Sequence, residues 1–297
     1  MNDKTRVLII GASGRIGKEI YKIFNNDINK LFFNVFGTYC NHPLSELEKL
    51  DITDIESVKN LINKIKPEIV IHAAGMVYPI KCEENKKLAW KINVIGTKNI
   101  LECCKDIGSK IVYISTDYVF DGKNNPYDEL DQTNPLNYYG QTKLESEKLI
   151  LSINEYLIIR TAWVNDVEKN SSSFIMQVIN SLKNNEVFSV PFDQYGSPTI
   201  TSNLSEIIFE LIQKNQKGIF HVTGLTYIDR YNFAIKIAEV FLLNRKLIKK
   251  ISTAELNQKI KRPLEVNLDL KKLKSIITTK IFSLDEQLDL MKKTSKF

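Results

Sequence analysis

Tyr139 and Lys143 stand four residues apart in a helical stretch, and their types could do chemistry. That spacing places both on one helix face, one turn apart, so a phenol stands beside an ammonium. A free tyrosine titrates near about 10, and an adjacent cation favours its anion and lowers that value. A general acid works best when its pKa lies near the operating pH, so the pair reads as a tuned proton donor. Upstream, Lys110-Ile-Val-Tyr-Ile-Ser-Thr-Asp117 is an apolar strand ending in two hydroxyls and a carboxylate. Ligands in open parallel sheets sit at the carboxyl ends of strands, which puts the Thr116 hydroxyl where it can hold a substrate oxygen against the phenol. A Tyr and a Lys at this spacing are common by chance. The strand before them and a glycine turn at the start of the chain give the pair its weight.

That turn is Gly11-Ala-Ser-Gly-Arg-Ile-Gly17, between the buried-strand run Thr5–Ile10 and the helical run Lys18–Phe24. Strand, glycine turn and helix are the context in which such a string binds a dinucleotide. Gly11 permits the tight turn, Gly14 lets backbone approach a pyrophosphate, and Gly17 lets helix pack on strand. The phosphates would lie at the positive helix N-terminus. A second strand, Phe33–Thr38, ends in Tyr39-Cys-Asn-His42. A carboxylate there would select NAD, and an Arg or Lys would accept the extra phosphate of NADP. Neither is present, so NADH and NADPH both stay open.

Further on, Asp51-Ile-Thr-Asp54 starts a helix with Thr53 or Asp54 as its cap. Pro67–Gly75 is a strand closing on small residues, which lets backbone approach a flat cofactor. A long helix is predicted from about Glu83 to Ile107; Asn93 and Gly96 lower its propensity and mark a bend or close packing. Tyr156–Val164 is another buried strand, and Trp163 past its end fits either a core or a substrate-facing ring. A helix near 171–183, a strand near 187–190, a helix at 202–213 and a strand at 218–224 follow, then a lysine-rich tail with two or three amphipathic helices. Alternating strands and helices imply an α/β fold, a doubly wound parallel sheet of Rossmann type with right-handed crossovers. Residues 1–160 plus 185–223 are expected to form the dinucleotide-binding domain. Residues 161–184 plus 224–297 should form a smaller substrate lobe over the sheet's carboxyl edge.

Composition bounds the alternatives. With 297 residues, 43% of them hydrophobic, the chain can build one large core or one and a half. It has no apolar run of membrane-spanning length, and its N-terminus enters a strand without a signal-peptide core, so no membrane partner is expected. Cys40, Cys82, Cys103 and Cys104 lack paired metal-ligand spacing and read as reduced thiols of a cytoplasmic protein. Net charge is +6, but Lys and Glu are interspersed and no basic arm is concentrated. Nucleic-acid binding is therefore not expected, while a mildly positive protein suits an anionic substrate.

These residues resemble a known family. The Gly11–Gly17 turn, His72-Ala-Ala, Asn93-Val-Ile-Gly-Thr and Tyr139-x-x-x-Lys143 look like an extended short-chain dehydrogenase/reductase. Within it, Ser115-Thr-Asp-Tyr-Val-Phe-Asp-Gly122 and Pro135-Leu-Asn-x-Tyr-Gly-x-Thr-Lys143 resemble the dTDP-4-dehydrorhamnose reductase family. So do Arg160-Thr-Ala-Trp-Val164, Asp193-Gln-x-Gly-x-Pro-Thr199 and Arg262-Pro263. The resemblance implies an NADH- or NADPH-dependent reductase of the 4-keto group of a nucleotide-diphosphate deoxysugar, serving sugar-nucleotide and polysaccharide biosynthesis. Thr116, Tyr139 and Lys143 match its catalytic triad. Gly11, Ser13, Gly14, Arg15, Ile16, Gly17, Asp51, Ile52, Ala73 and Ala74 match cofactor positions, with Tyr139 and Lys143 also at the nicotinamide ribose. Asp117 and Trp163 match positions facing the sugar. Family enzymes can bind magnesium through glutamates, and Glu19 matches one such position; a homodimer is a family-level expectation.

Departures are Pro79-Ile80 for a usual Val-Asp, Asn165 for Tyr, Ser146 for Gly, and Glu265-Val266 for Asn-Ser. Most fall where sugar or nucleotide would be held, so the substrate's identity stays open. Two other readings share the scaffold. A nucleotide-sugar dehydratase would need a Glu where Tyr118 follows Thr116-Asp117, whereas an epimerase needs only the same triad and a tightly held cofactor. A non-catalytic NADP-binding subunit, as in methionine adenosyltransferase, keeps the fold and serves a partner.

Overall fold

A computed structural model describes residues 4–166, 168, 171–256 and 259–294. The remaining residues of the expected domain spans lie outside the described residues. Strand β1 (Thr5–Ile10) shows how the sheet is built: Val7 and Ile9 pack into one core and Leu8 and Ile10 into another. A strand that buries both faces reads as a continuous apolar run, the mark of a parallel sheet covered on both sides. Along the chain follow β2 (Phe33–Tyr39), β3 (Glu48–Lys49), β4 (Ile69–His72), β5 (Lys110–Thr116) and β6 (Tyr156–Thr161). Together with the strand Gly218–His221 they form one seven-stranded sheet in the order 218–221, β6, β5, β4, β1, β2, β3. Every pairing in it is parallel. The order reverses between β1 and β4, so the sheet is of the doubly wound Rossmann type, with its crevice at that reversal.

Helix α1 (Arg15–Phe24) leaves β1 through the glycine turn and buries Ile20 and Phe24. Phe24 meets Phe33 and Phe209 edge-on, with centroids 5.1 and 4.8 Å away. Helix α2 (Ile55–Ile65) is capped by Asp54, whose carboxylate accepts the Glu56 amide, while Thr53 bonds Asp51 instead.

The stretch expected as one helix over 83–107 is α3 (Pro79–Glu84), α4 (Lys86–Trp90), a π turn over Lys91–Ile95 and α5 (Gly96–Ile107). Two asparagines explain the breaks. Asn85 ends α3 and caps α4, its side chain accepting the Leu88 amide. Asn93, 2% exposed, sits in the π turn and uses its amide three ways. Its oxygen accepts the Met76 amide, and its nitrogen donates to the Met76 carbonyl and to Thr142 Oγ1. π turns often sit at functional sites, and this one ties the end of β4 to α6 (Tyr138–Ile150), the helix of Tyr139 and Lys143.

A second body is built from α7 (Phe174–Lys183), α9 (Arg230–Val240) and the C-terminal helix Leu284–Thr294, which share a core of their own. Helix α8 (Thr201–Gln213) packs instead on the sheet beside α1. Two segments depart from the expected division. The strand Phe188–Pro191 pairs in parallel with Ile248–Ile251, away from the main sheet. Leu270, Leu273 and Ile281 belong to the main sheet's core, although the tail was expected in the lobe. Periodicity makes a strand or helix but does not say which sheet it joins.

Candidate active site

Gly11 opens the dinucleotide turn with φ +87°, a left-handed conformation that L side chains rarely adopt. A Cβ there would also lie 2.8 Å from the Ala74 backbone nitrogen, so the turn and the Ala73-Ala74 strand end are in direct contact. The Gly14 amide closes the turn on the Gly11 carbonyl at 3.0 Å, and α1 begins with no side chain capping its first amides. Uncapped amides at a helix N-terminus form an anion site. The residues present therefore fit a dinucleotide pyrophosphate: Gly11, Ser13, Gly14, Arg15, Ile16 and Gly17 lie along this turn. Ile52 packs against Gly96 of α5, and the Asp51 carboxylate is bonded to the Thr53 amide and hydroxyl. Arg15 contributes only backbone to the turn. Its guanidinium is drawn away by Asp166, 2.7 Å off, and donates to the Val164 carbonyl and to Ser171 and Ser172.

Thr116, Tyr139 and Lys143 are brought together and are 6%, 9% and 5% exposed. Asn137 caps α6 through its bond from the Gly140 amide, which holds Tyr139 in the helix's first turn. Burial raises the Tyr139 pKa, and the Thr116 hydroxyl beside it pulls partway back. Depression of that pKa by Lys143, expected from the spacing, is not what this structure displays. The ammonium donates to the Ile114 carbonyl at 2.7 Å and lies over the Tyr113 ring, 3.9 Å from its centroid. A buried ammonium must find acceptors, and the Ile114 carbonyl and the Tyr113 ring serve here. Burial brings the Lys143 pKa down to about 7, against the pull of Glu147 and Cys82. Asp117 is 4% exposed, and burial raises its carboxyl to about 6 despite the hydroxyl of Thr116, which donates to it at 3.0 Å, and the charge of Arg230.

A cavity of about 360 Å³ opens where Arg15 and Val164 meet Phe174 and Phe188 of the second body. Trp163, Asn165, Arg230 and Arg262 line it. Arg262 donates to the Tyr118 phenol oxygen at 2.8 Å, and Tyr118 stands edge-on to Tyr139. The Arg262 Nε is buried with no hydrogen-bond partner. Arg230 lies over the Trp163 and Phe174 rings at 4.0 and 4.8 Å, with no carboxylate at ion-pair distance among the described residues. Burial lowers its pKa to about 10. Two cations short of anionic partners thus face the cavity, and Arg262 is linked through Tyr118 to Tyr139, an arrangement suited to an anionic ligand. Sequence reasoning passed over Arg230 and Tyr118. Arg230 heads a helix in a lysine-rich tail, and nothing local separates it from the solvated cations around it.

Trp163 combines the two readings open to it. It lines the cavity, yet it packs against the second body's core, stacks on Phe233, and presses so closely on Gly196 that a Cβ there would lie 2.4 Å from the indole. Its φ of 44° turns the ring off the end of β6. Trp163→Ala is therefore expected to lower the melting temperature and to weaken substrate binding by about tenfold, with cofactor affinity unchanged. Full burial would put the stability loss at roughly 3–5 kcal/mol; a half-buried ring belongs at the lower end. A thermal melt and two titrations check this, and an unchanged melting temperature contradicts the packing half of it.

Of the departures from the family pattern, Asn165 lines the cavity and braces the turn, donating to the Trp163 carbonyl at 2.6 Å. Val266 is 2% exposed in a core with Phe120 and Tyr127 and packs rather than binds. Among the described residues no cluster of three or more His, Cys, Asp or Glu side chains could hold a metal ion, so magnesium finds no support here. None of the described helices is long and apolar enough to cross a membrane.

The parallel Rossmann-type sheet, the glycine turn at its crevice and the Tyr-x-x-x-Lys helix beside a strand-end threonine define an oxidoreductase of the extended short-chain class. Residues 5–296 match the family model described as the RmlD substrate binding domain. A dTDP-4-dehydrorhamnose reductase of Aggregatibacter actinomycetemcomitans is 32% identical over 281 residues, covering 90% of this chain and 92% of that one. The chain belongs to this family, the dTDP-4-dehydrorhamnose reductase family. A crystal structure of the Bacillus anthracis dTDP-4-dehydrorhamnose reductase in complex with NADP superposes with a TM-score of 0.88 at 30% identity, covering 99% of this chain and 100% of that one. Methionine adenosyltransferase 2 subunit beta of Xenopus tropicalis is 31% identical over 279 residues, covering 91% of this chain and 82% of that one.

Proposed function

We propose that this chain reduces the 4-keto group of a nucleotide-linked deoxysugar, using NADPH in preference to NADH. The observation that carries the reading is the buried Thr116, Tyr139 and Lys143 group, joined through Asp117 and Tyr118 to a cavity holding Arg230 and Arg262. A bound reduced nicotinamide supplies hydride to the sugar's C4. Thr116 holds the keto oxygen by its hydroxyl, Tyr139 donates the proton that oxygen needs, and Lys143 favours the resulting phenolate and binds the nicotinamide ribose. Arg230 and Arg262 grip the substrate's diphosphate, and the Trp163 edge offers an apolar wall to the deoxysugar. Tyr39-Cys-Asn-His42 at the end of β2 carries no carboxylate to repel a 2′-phosphate; of the two β3 residues paired with that end, Lys49 lies opposite Tyr39 and Glu48, opposite Thr38, is neutralised by Lys64, which favours NADPH.

The domain division we propose follows the cores. The sheet domain takes residues 4–161, α8, the strand 218–221 and residues 270–281. The substrate lobe takes 162–166, 171–198, 224–256 and the C-terminal helix.

The test is a reductase screen over dTDP-, CDP-, GDP- and UDP-linked 4-keto-6-deoxysugars with each reduced cofactor. Stoichiometric consumption of NADPH with at least one substrate is the expected result. A cofactor that stays bound and unconsumed while sugars interconvert would mean an epimerase. No turnover, together with a stoichiometric enzyme partner in a pull-down, would mean a non-catalytic subunit.

A further inference from the structure

Three buried side chains from α6, β5 and β6 close on one another. Glu147 sits one turn beyond Lys143 on α6 and is 1% exposed. Its carboxylate accepts the Ser115 hydroxyl from β5 and two arms of Arg160 from β6, Nη2 at 2.8 Å and Nε at 3.2 Å. Arg160 is 3% exposed; its Nη1 reaches the Glu129 carbonyl at 3.4 Å, and its guanidinium lies over the Phe120 ring. A buried ion pair is poor evidence for stability, since apolar residues of similar volume often serve as well. What distinguishes this one is its place in the chain, because Ser115 immediately precedes Thr116 and Glu147 follows Lys143 by four residues.

We propose that Glu147 and Arg160 are positioning residues for the reaction: they lock the Thr116 strand end onto α6 and set the charge on Lys143, Glu147 favouring the ammonium and Arg160 limiting how strongly. This rests on the reduction proposed above, in which Lys143 acts as a cation. The groups facing Lys143 are Tyr139 and Glu147 on α6, Tyr113 on β5, Cys82 on α3 and His72 on β4. Burial keeps His72 neutral and the Cys82 thiol protonated, so Glu147 is the one carboxylate among them. Those facing Glu147 are Lys143, Arg160, Ser115 and Tyr113.

The sign follows. Activity needs the Lys143 ammonium, so it falls as pH rises through the Lys143 pKa. Glu147→Gln removes the attraction that raises that pKa, and the basic limb of the kcat profile should move to lower pH by about one unit. Arg160→Met frees the Glu147 carboxylate from its competing cation, and the limb should move to higher pH. Each single variant strands one member of the buried ion pair, so the double variant E147Q/R160M, which removes the pair whole, is the decisive fold control; its limb should lie below that of the wild type. A role confined to packing would lower kcat or the melting temperature and leave the limb where it was. An unmoved limb in the double variant, or single variants shifting in the same direction, would overturn the proposal. The Lys143 pKa read directly, by NMR of ε-carbon-labelled lysine assigned through loss of its signal in Lys143→Met, needs no turnover. It keeps the inference testable should the reductase reading fail.

Discussion

Tyr139→Phe is expected to lower turnover by about 10²–10⁴-fold, the usual worth of a positioned general acid, while leaving the fold in place. The substitution removes one oxygen. The ring packs in a small core with Cys82 and Ala89 and edge-on to Tyr118 at 5.7 Å, contacts a phenylalanine keeps. Burial holds the phenol's pKa above its ordinary value, so across the physiological range the hydroxyl carries its proton and can give it to a substrate oxygen. Donation leaves a phenolate in a buried site, which is costly unless a cation attends it. In the proposed reaction Lys143, one turn along the same face, is that cation. The loss should therefore appear in kcat with little change in KM, as for an interaction made in the transition state. Turnover by the variant within a few-fold of the wild type on the true substrate would remove Tyr139 from its role.

How much of this could be read beforehand depended on how local the information was. β1, the glycine turn and α1 follow from adjacent residues: an apolar run, three glycines at fixed offsets, then an amphipathic stretch. The Tyr139 and Lys143 pair was legible because a helix fixes which Cβ atoms share a face. It does not fix where a long side chain ends. The Lys143 ammonium turned to the Ile114 carbonyl, and the sign of the Tyr139 shift followed burial rather than the neighbour. Pairing across the chain was illegible for a similar reason. Phe188–Pro191 is a plain strand in sequence, and only the tertiary fold decides that it joins Ile248–Ile251. Arg230 was lost among lysines, because the two rings that hold it, Trp163 and Phe174, lie more than fifty residues upstream in sequence. In the predicted helix over 83–107, Asn93 sits in a π turn, and its hydrogen-bond partners, Met76 and Thr142, lie outside that stretch.

Gly17→Ala is expected to weaken NAD(P)H binding by at least about tenfold, although no side chain that would touch the cofactor is altered. A Cβ at this position would lie 2.2 Å from the Gly11 carbonyl oxygen and 2.8 Å from its carbon, against backbone that has no rotamer to yield. The first turn of α1 must then move off the end of β1. The Gly14 amide bond to the same Gly11 carbonyl, 3.0 Å long, lies in the path of that movement. Overpacking of this kind costs typically 1–3 kcal/mol, which a core as large as that behind Ile20 and Phe24 can absorb. The anion site at the helix start cannot, because it depends on the direction in which the α1 amides point. A modest fall in melting temperature should therefore accompany a large loss of affinity, measured by quenching of intrinsic fluorescence or by calorimetry. A dissociation constant within twofold of the wild type would show that the cofactor does not lie on this turn.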